Sequence, residues 1–262
     1  MRKFLLAAAA TLAIQTPVHA LIGIGVSGGL NTTAIDARSE TVSAGELPAY
    51  FKPTGATAPS LFYSREKMSS MNQLGVKAWL EIPLLPIEFE AASNLAWGSY
   101  KSSMSYINGS QKIDIPVDVA SPLVGLGEEK GGTPYVNLLT DVTIRYPLIE
   151  IPPVLHTLKL YVGAGVTHVL ASRVIDKKDI QETFNSATDK FEIAAPEKSK
   201  TVLEDNLLQS TFGGHVSLGA QLKIPVIPIA LFVDGKWYVN TATSDAATKY
   251  PFSVSAGAGF AL

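Results

Sequence analysis

The sequence predicts an all-β fold, an antiparallel up-and-down β-barrel of eight strands that crosses a membrane. Three observations predict it. Apolar residues alternate with small or charged ones over eight segments, with the period of two that a strand imposes. Most of these segments run about nine to eleven residues, the length that a tilted strand needs to cross a bilayer. Three junctions between them are short and bracketed by proline, while four connections are long and polar. Short turns at one end and long loops at the other are the plan of outer-membrane barrels.

The first strand, Leu21 to Leu30, sets Ile22, Ile24 and Val26 against Gly23, Gly25 and Ser27. In the second, Leu74 to Ile82, the even positions Leu74, Val76, Ala78, Leu80 and Ile82 oppose Gly75, Lys77, Trp79 and Glu81. The third, Ile87 to Trp97, places Ile87, Phe89, Ala91, Leu95 and Trp97 opposite Glu88, Glu90, Ala92, Asn94 and Ala96. In the fourth, Val136 to Tyr146, Val136, Leu138, Val142, Ile144 and Tyr146 oppose Asn137, Asp141, Thr143 and Arg145. The fifth, Leu158 to Leu170, sorts Leu158, Leu160, Val162, Ala164 and Val166 against Lys159, Tyr161, Gly163, Gly165 and Thr167.

The sixth strand sets Val216, Leu218, Ala220, Leu222 and Ile224 against His215, Ser217, Gly219, Gln221 and Lys223. The seventh sets Ile229, Leu231, Val233 and Trp237 against Ala230, Phe232, Asp234 and Lys236. The chain closes with Phe252, Val254, Ala256, Ala258, Phe260 and Leu262 opposite Ser253, Ser255, Gly257, Gly259 and Ala261.

The proline-bracketed reversals lie within Trp79 to Phe89, Thr143 to Leu158 and Leu222 to Leu231. Proline has no amide hydrogen for a sheet ladder, so it stops a strand and marks a turn. The four long connections run near Asn31 to Asn72, Gly98 to Tyr135, Ala171 to Phe212 and Asn240 to Tyr250. Eight strands with both ends on one side need three turns and four loops, which matches. Within the second loop, Tyr106 to Gly109 carries an Asn-Gly hairpin signal and Lys112 to Val119 alternates. That segment is read either as a β extension above the membrane or as an extra hairpin, which would make ten strands. In the third loop, Asp176 to Phe184 and Thr201 to Leu208 suit short helical turns over the barrel mouth.

Residues 1 to 20 read as a signal peptide. Arg2 and Lys3 form a basic start, Phe4 to Ile14 is apolar but too short to span a bilayer, and Val18-His19-Ala20 supplies small residues for cleavage near Ala20. The remaining domain, 21 to 262, holds 242 of the 262 residues, and losing the two cations takes the formal charge from −2 to −4. Such a balance gives no reason to expect nucleic acid as a partner. There is no cysteine, hence neither a lipid-anchoring thiol nor a disulfide framework.

A soluble sandwich alternates too, so the membrane assignment needs a second argument. The small-and-charged face carries five acids (Glu81, Glu88, Glu90, Asp141, Asp234) and five bases (Lys77, Arg145, Lys159, Lys223, Lys236). Turned inward, matched charges form a lumen network that a narrow barrel tolerates, and the glycines between them suit a crowded interior. Trp97 and Trp237 fall at the loop ends of apolar faces, and Tyr146 and Phe260 at the turn ends, as two aromatic girdles would.

On these residues the chain resembles the small eight-stranded outer-membrane barrels of Gram-negative bacteria. The resemblance covers the signal and all eight strands but not the loops. Its most specific motif is the end, Phe252 to Leu262, which is similar to the terminal strand that barrel-assembly machinery recognises. Family members usually finish in an aromatic residue; here Leu262 is last and Phe260 shares its face two residues earlier. The resemblance implies outer-membrane lipids as surroundings, with periplasmic chaperones and the barrel-assembly machinery as partners in biogenesis.

Candidate chemistry is thin. His215 and Ser217, two apart on a strand, are similar to the His-x-Ser pair of outer-membrane lipid A deacylases, but Leu218 stands where that motif has Asn. The simpler reading is an interior polar pair. Glu88 and Glu90 share a face as an acid/base pair would, with salt bridging to the interior lysines the simpler reading. His168 is phased outward near the loop rim, where it would meet headgroups or loop backbone. The aromatics of the first loop, Tyr50, Phe51, Phe62 and Tyr63, either pack among the loops or grip a small hydrophobic ligand. No motif calls for a metal or cofactor.

The sequence thus suggests a non-enzymatic barrel with a plugged polar interior and displayed loops, serving envelope integrity or surface interaction. Three rivals remain: a transporter passing a small hydrophobic molecule by lateral opening, a lipid-modifying hydrolase, and a periplasmic β-sandwich or lipocalin-like binder.

Overall fold

A computed structural model describes residues 21–43, 45–46, 60–82, 85–115, 132–151, 158–174, 208–224, 227–245 and 247–261. The expected signal peptide and its cleavage near Ala20, the aromatics Tyr50 and Phe51, and the turn expected over 176–184 lie outside the described residues. So does the turn expected over 201–208, except Leu208, which opens a strand.

Eleven strands form in chain order: β1 (Leu21–Asn31), β2 (Arg38–Val42), β3 (Ser60–Arg65), β4 (Met71–Glu81), β5 (Glu88–Asn108), β6 (Gln111–Ile115), β7 (Gly132–Ile151), β8 (Leu158–Ser172), β9 (Leu208–Lys223), β10 (Ile229–Val239) and β11 (Phe252–Ala261). Eight of them close on themselves in the order β1, β4, β5, β7, β8, β9, β10, β11, with β11 returning to β1. Every neighbouring pair is antiparallel, so no wall strand keeps an unpaired edge.

The other three strands answer the question left by the second loop. β5 does not stop at Trp97 but continues to Asn108, beyond the end of its pairing with β4. Above that point β3 takes over one edge, from Arg65↔Ser102 to Ser60↔Ile107, and β2 pairs in turn with β3. On the other edge β6 replaces β7 from Met104↔Ile115 onward. The segment is therefore an extension of the wall, and the barrel has eight strands, not ten. The hairpin turn uses Gly109 and Ser110, one residue later than the Asn-Gly signal suggested. Gly109 has φ 60°, which suits the first position of a II′ turn.

A second departure concerns Pro147. Proline was expected to end the strand there, yet β7 runs on to Ile151 with a shift of register between Pro147 and Ile149. The register still pairs Pro147 with Tyr161 and leaves Leu148 outside the ladder, so the strand accommodates the proline by bulging immediately after it. Beyond it β7 gains a further inward acid, Glu150. The β9–β10 turn is tied by Ile224 N to Ile229 O at 3.0 Å, and Ala261 N reaches Pro228 O at 3.0 Å.

Burial follows the alternation. Ile24, Val26, Val166 and Leu218 are each more than 60% exposed, and apolar side chains populate the outward positions of all eight wall strands. Inward positions are buried or half-buried, whether charged, aromatic or glycine. A lipocalin-like binder requires the reverse, an apolar interior and a polar exterior, so this arrangement excludes it. Apolar surface of this extent needs hydrocarbon around it.

Candidate functional site in the lumen and outer mouth

The lumen is built in layers, because inward positions of neighbouring strands lie at matching heights. At the turn end, Lys159 pairs with Glu88 and lies 3.3 Å from Glu81 and 3.4 Å from Glu150. Lys223 reaches both oxygens of Glu81, at 2.7 and 2.9 Å. In the middle layer Arg145 pairs with Glu90 and lies 3.6 Å from Asp234, while Lys77 pairs with Asp234 and lies 3.4 Å from Glu90. The Tyr161 hydroxyl donates to Asp234 under the Arg145 guanidinium, 4.2 Å from the Tyr161 ring.

Above this, Lys236 bridges Glu90 at 3.0 Å and Asp141 at 2.8 Å. Asp141 also accepts from Thr167 at 2.8 Å, Tyr238 at 3.2 Å and Asn94 at 3.4 Å. Each of the ten charged side chains, Lys77, Glu81, Glu88, Glu90, Asp141, Arg145, Lys159, Lys223, Asp234 and Lys236, has an opposite charge within 4 Å. Glu150 adds an eleventh, which the expected strand end at Tyr146 had hidden.

Glycine makes room for the aromatics. A Cβ on Gly23 would overlap the Trp79 indole, and one on Gly259 would sit 2.9 Å from it. Gly25 and Gly257 stand in the same way beneath Phe232, at 2.8 and 2.6 Å. Trp79 and Phe232 meet edge to face, with centroids 6.2 Å apart. Their rings cover a wall whose inward positions carry almost no side chain. The alternation placed both residues inside but gave no sign of this packing.

At the outer end the lumen turns apolar. Ile35, Met68, Met71, Ala96, Tyr100, Tyr135, Leu139, Val169, Ala171, Val174 and Tyr238 form one buried cluster. Ile35 lies in the first loop and is held by a pair of backbone hydrogen bonds with Met68, at 2.9 and 3.0 Å. Beside it, Thr248 N donates to Ala34 O at 3.0 Å, joining the fourth loop to the first.

His215 and Ser217 both face the lumen, buried, but the structure does not couple them. The His215 ring meets Thr143 and Thr167, each at 2.8 Å, leaving no nitrogen for Ser217, whose hydroxyl has no hydrogen-bond partner. Glu88 and Glu90 take different cations in different layers, so they form no acid/base pair. His168 lies on the outer side against Phe212, with centroids 4.6 Å apart. Phe62 is half-buried and Tyr63 buried, on opposite sides of β3.

Outside, Trp237, Tyr146 and Phe260 are at least half exposed, and Trp97 is half-buried. Phe252, directly across from Trp237, joins Phe212 and Tyr250 among the exposed aromatics toward the loop end. With a charged interior inside an apolar wall, the solvent of this wall is lipid. The chain is an outer-membrane-type β-barrel.

No protein-family model matches the sequence, and no curated protein matches it. Among solved structures it is similar to Ail, the attachment invasion locus protein of Yersinia pestis, in complex with the heparin analogue sucrose octasulfate. That match has 10% identity over 92% of this chain and 99% of that one, with a TM-score of 0.41. Neisserial surface protein A matches at 11% identity over 92% of this chain and 98% of that one, with a TM-score of 0.42. The translocator domain of the autotransporter NalP from Neisseria meningitidis matches at 10% over 99% and 94%, with a TM-score of 0.28. These superpositions are loose, and the barrel assignment rests on the strand pairing described above.

Proposed function

We propose that this chain is a non-enzymatic outer-membrane protein whose lumen is closed by its own side chains and which acts through its outer sheet and loops. The observation that carries this reading is the double closure: a paired charge network along the lumen and an apolar cluster over its outer mouth. An eight-stranded wall leaves an interior that side chains can fill, so water and ions find no continuous path. Surface interaction and envelope integrity are the roles left to such a barrel. Trp97, Trp237, Tyr146 and Phe260 anchor it at the two interfaces, and β11 with outward Phe260 is the segment offered to the barrel-assembly machinery and its periplasmic chaperones.

Reconstitution into planar bilayers tests it: the protein is expected to give no porin-like conductance steps, and regular steps would overturn the closed lumen. Fractionation and a gel-mobility shift on boiling test the location. The hydrolase reading predicts altered lipid A in cells expressing the protein, and the uncoupled His215 and Ser217 argue for unchanged profiles.

One observation favours a second reading, the handling of a small hydrophobic molecule. The outer wall carries an apolar depression of about 920 Å³ between Val26, Leu74, Val76, Leu95 and Ala258, where Ser27, Gly75 and Gly257 thin the wall. Passage would require β1 and β4 to part. A disulfide engineered across that pair is expected to leave uptake of an apolar probe unchanged, and loss of uptake would favour lateral opening.

A further inference from the structure

Two of the three turns at the lower end of the wall carry one six-residue motif. Ile82-Pro-Leu-Leu-Pro-Ile87 and Ile224-Pro-Val-Ile-Pro-Ile229 share proline at their second and fifth positions and hold no polar side chain. Leu85 N donates to Ile82 O at 3.2 Å in the first, and Ile227 N to Ile224 O at 3.3 Å in the second. Leu85 and Ile227, at equivalent positions, are both exposed. Turns that face water are built mostly from Gly, Pro, Asn, Asp and Ser. The outer hairpin of this chain obeys that rule with Asn108, Gly109, Ser110 and Gln111. The two lower turns keep only the proline.

Their backbone departs in the same direction. Proline has no amide hydrogen to hydrate. In the second turn Ile224, Ile227 and Ile229 each donate to a carbonyl of the turn itself, Ile229 to Ile227 at 2.7 Å. No described amide of that turn is left for water, the condition that backbone must meet beside lipid. The apolar rows of the wall also reach both turns without a break. Leu80 and Phe89 pair just above the first, and Leu222 and Leu231 just above the second. Ile229 pairs with outward Phe260, and Ile149 and Ile151 at the end of β7 continue the exposed apolar band.

We propose that both turns are immersed in the periplasmic leaflet, at the boundary of acyl chains and headgroups, with phospholipid as their partner. Continuity decides for lipid over a periplasmic protein. The outward rows carry no polar step between wall and turn, so the solvent of the wall covers the turns as well. Apolar side chains enter that boundary readily, and the turn carbonyls can still reach headgroup water. Phe260 and Tyr146 then lie in the same leaflet, which wall and turns hold together. This inference rests on the proposed orientation of the chain in the outer membrane.

The chain has no cysteine, so a single engineered thiol takes a spin label at a known place. Leu85→Cys and Ile227→Cys report on the turns, Val76→Cys on the wall and Ser110→Cys on the outer hairpin. Each labelled protein is refolded into vesicles of phosphatidylethanolamine and phosphatidylglycerol, and its gel-mobility shift on boiling shows that the barrel has formed. Collision with oxygen, which concentrates in lipid, is then compared with collision with a water-soluble nickel chelate. Both turn labels are expected to meet the chelate several-fold less often than Ser110→Cys, and oxygen more often. Chelate access equal to that of Ser110→Cys at either turn overturns the proposal. So does shielding that is absent in vesicles and present only in native outer-membrane fragments, which would assign the turns to a protein partner. Chelate access at Val76→Cys would instead overturn the lipid-facing wall on which the inference rests.

Discussion

The Lys77 ammonium lies 3.4 Å from the centre of the Phe232 ring, two residues along β10 from Asp234, the carboxylate it pairs with. One strand thus supplies both a π-face and a counter-ion to the same cation, and both contacts gain strength away from water. Lys77→Met removes the cation and leaves Asp234 and Glu90 with Arg145 and Lys236 alone. Breaking a buried pair from one side costs about 3–5 kcal/mol. Urea unfolding of the folded barrel in detergent should show that loss, with the double variant Lys77→Met, Asp234→Asn recovering much of it.

The glycine wall makes a different prediction. Gly23→Ala drives a methyl into the Trp79 indole, and overpacking of this kind costs about 1–3 kcal/mol. Trp79→Ala alone leaves a cavity. Because the two residues touch, the double variant should be markedly less destabilised than the sum of the singles. A strictly additive result in denaturant titrations would show that the ring does not press on the glycine.

Ile35 is fully buried where the first loop meets Met68, with Thr248 bonded to its neighbour Ala34. Ile35→Asp puts an unpaired charge into the apolar cluster and should release that segment while the wall stays intact. Limited proteolysis of the folded barrel is expected to cut between 32 and 37 in the variant but not in the parent. An unchanged digest would mean that the lid does not depend on Ile35.

On the lipid side, depth decides the cost. Val76 pairs with Val26 near mid-wall and is exposed, whereas Asn72 lies close to the loop rim. Val76→Arg should cost about 2–4 kcal/mol of insertion free energy and Asn72→Arg about 0–1. Refolding into lipid vesicles reads both values, and equal costs would mean that the apolar rows are not facing hydrocarbon.

Much of this architecture was legible because a strand has a period of two. Once Lys77, Glu90 or Asp234 is phased inward, every other residue of its strand is assigned as well. The first loop was not legible in this way. β2 and β3 are five and six residues long, and their two faces differ little in polarity. The extension of β5 past Trp97 was hidden because Ser99, Lys101 and Ser103 interrupt the apolar row at the point where lipid ends. Pro147 misled because a strand can absorb a proline by a local change of register, and here β7 bulges at Leu148 and resumes its pairing at Ile149. The packing of Trp79 and Phe232 against Gly23 and Gly25 joins residues from separate strands, which no local pattern encodes.

β5 passes without a break from the lipid-embedded wall into the outer sheet, 21 residues that at about 3.3 Å each stretch roughly 70 Å. No hinge separates the two parts. A tug on β3 or β6 along the strand direction is therefore resisted by many ladder bonds loaded together, not peeled one after another. Whatever grips the outer sheet pulls directly on the membrane-embedded cylinder, so this face is mechanically suited to tethering.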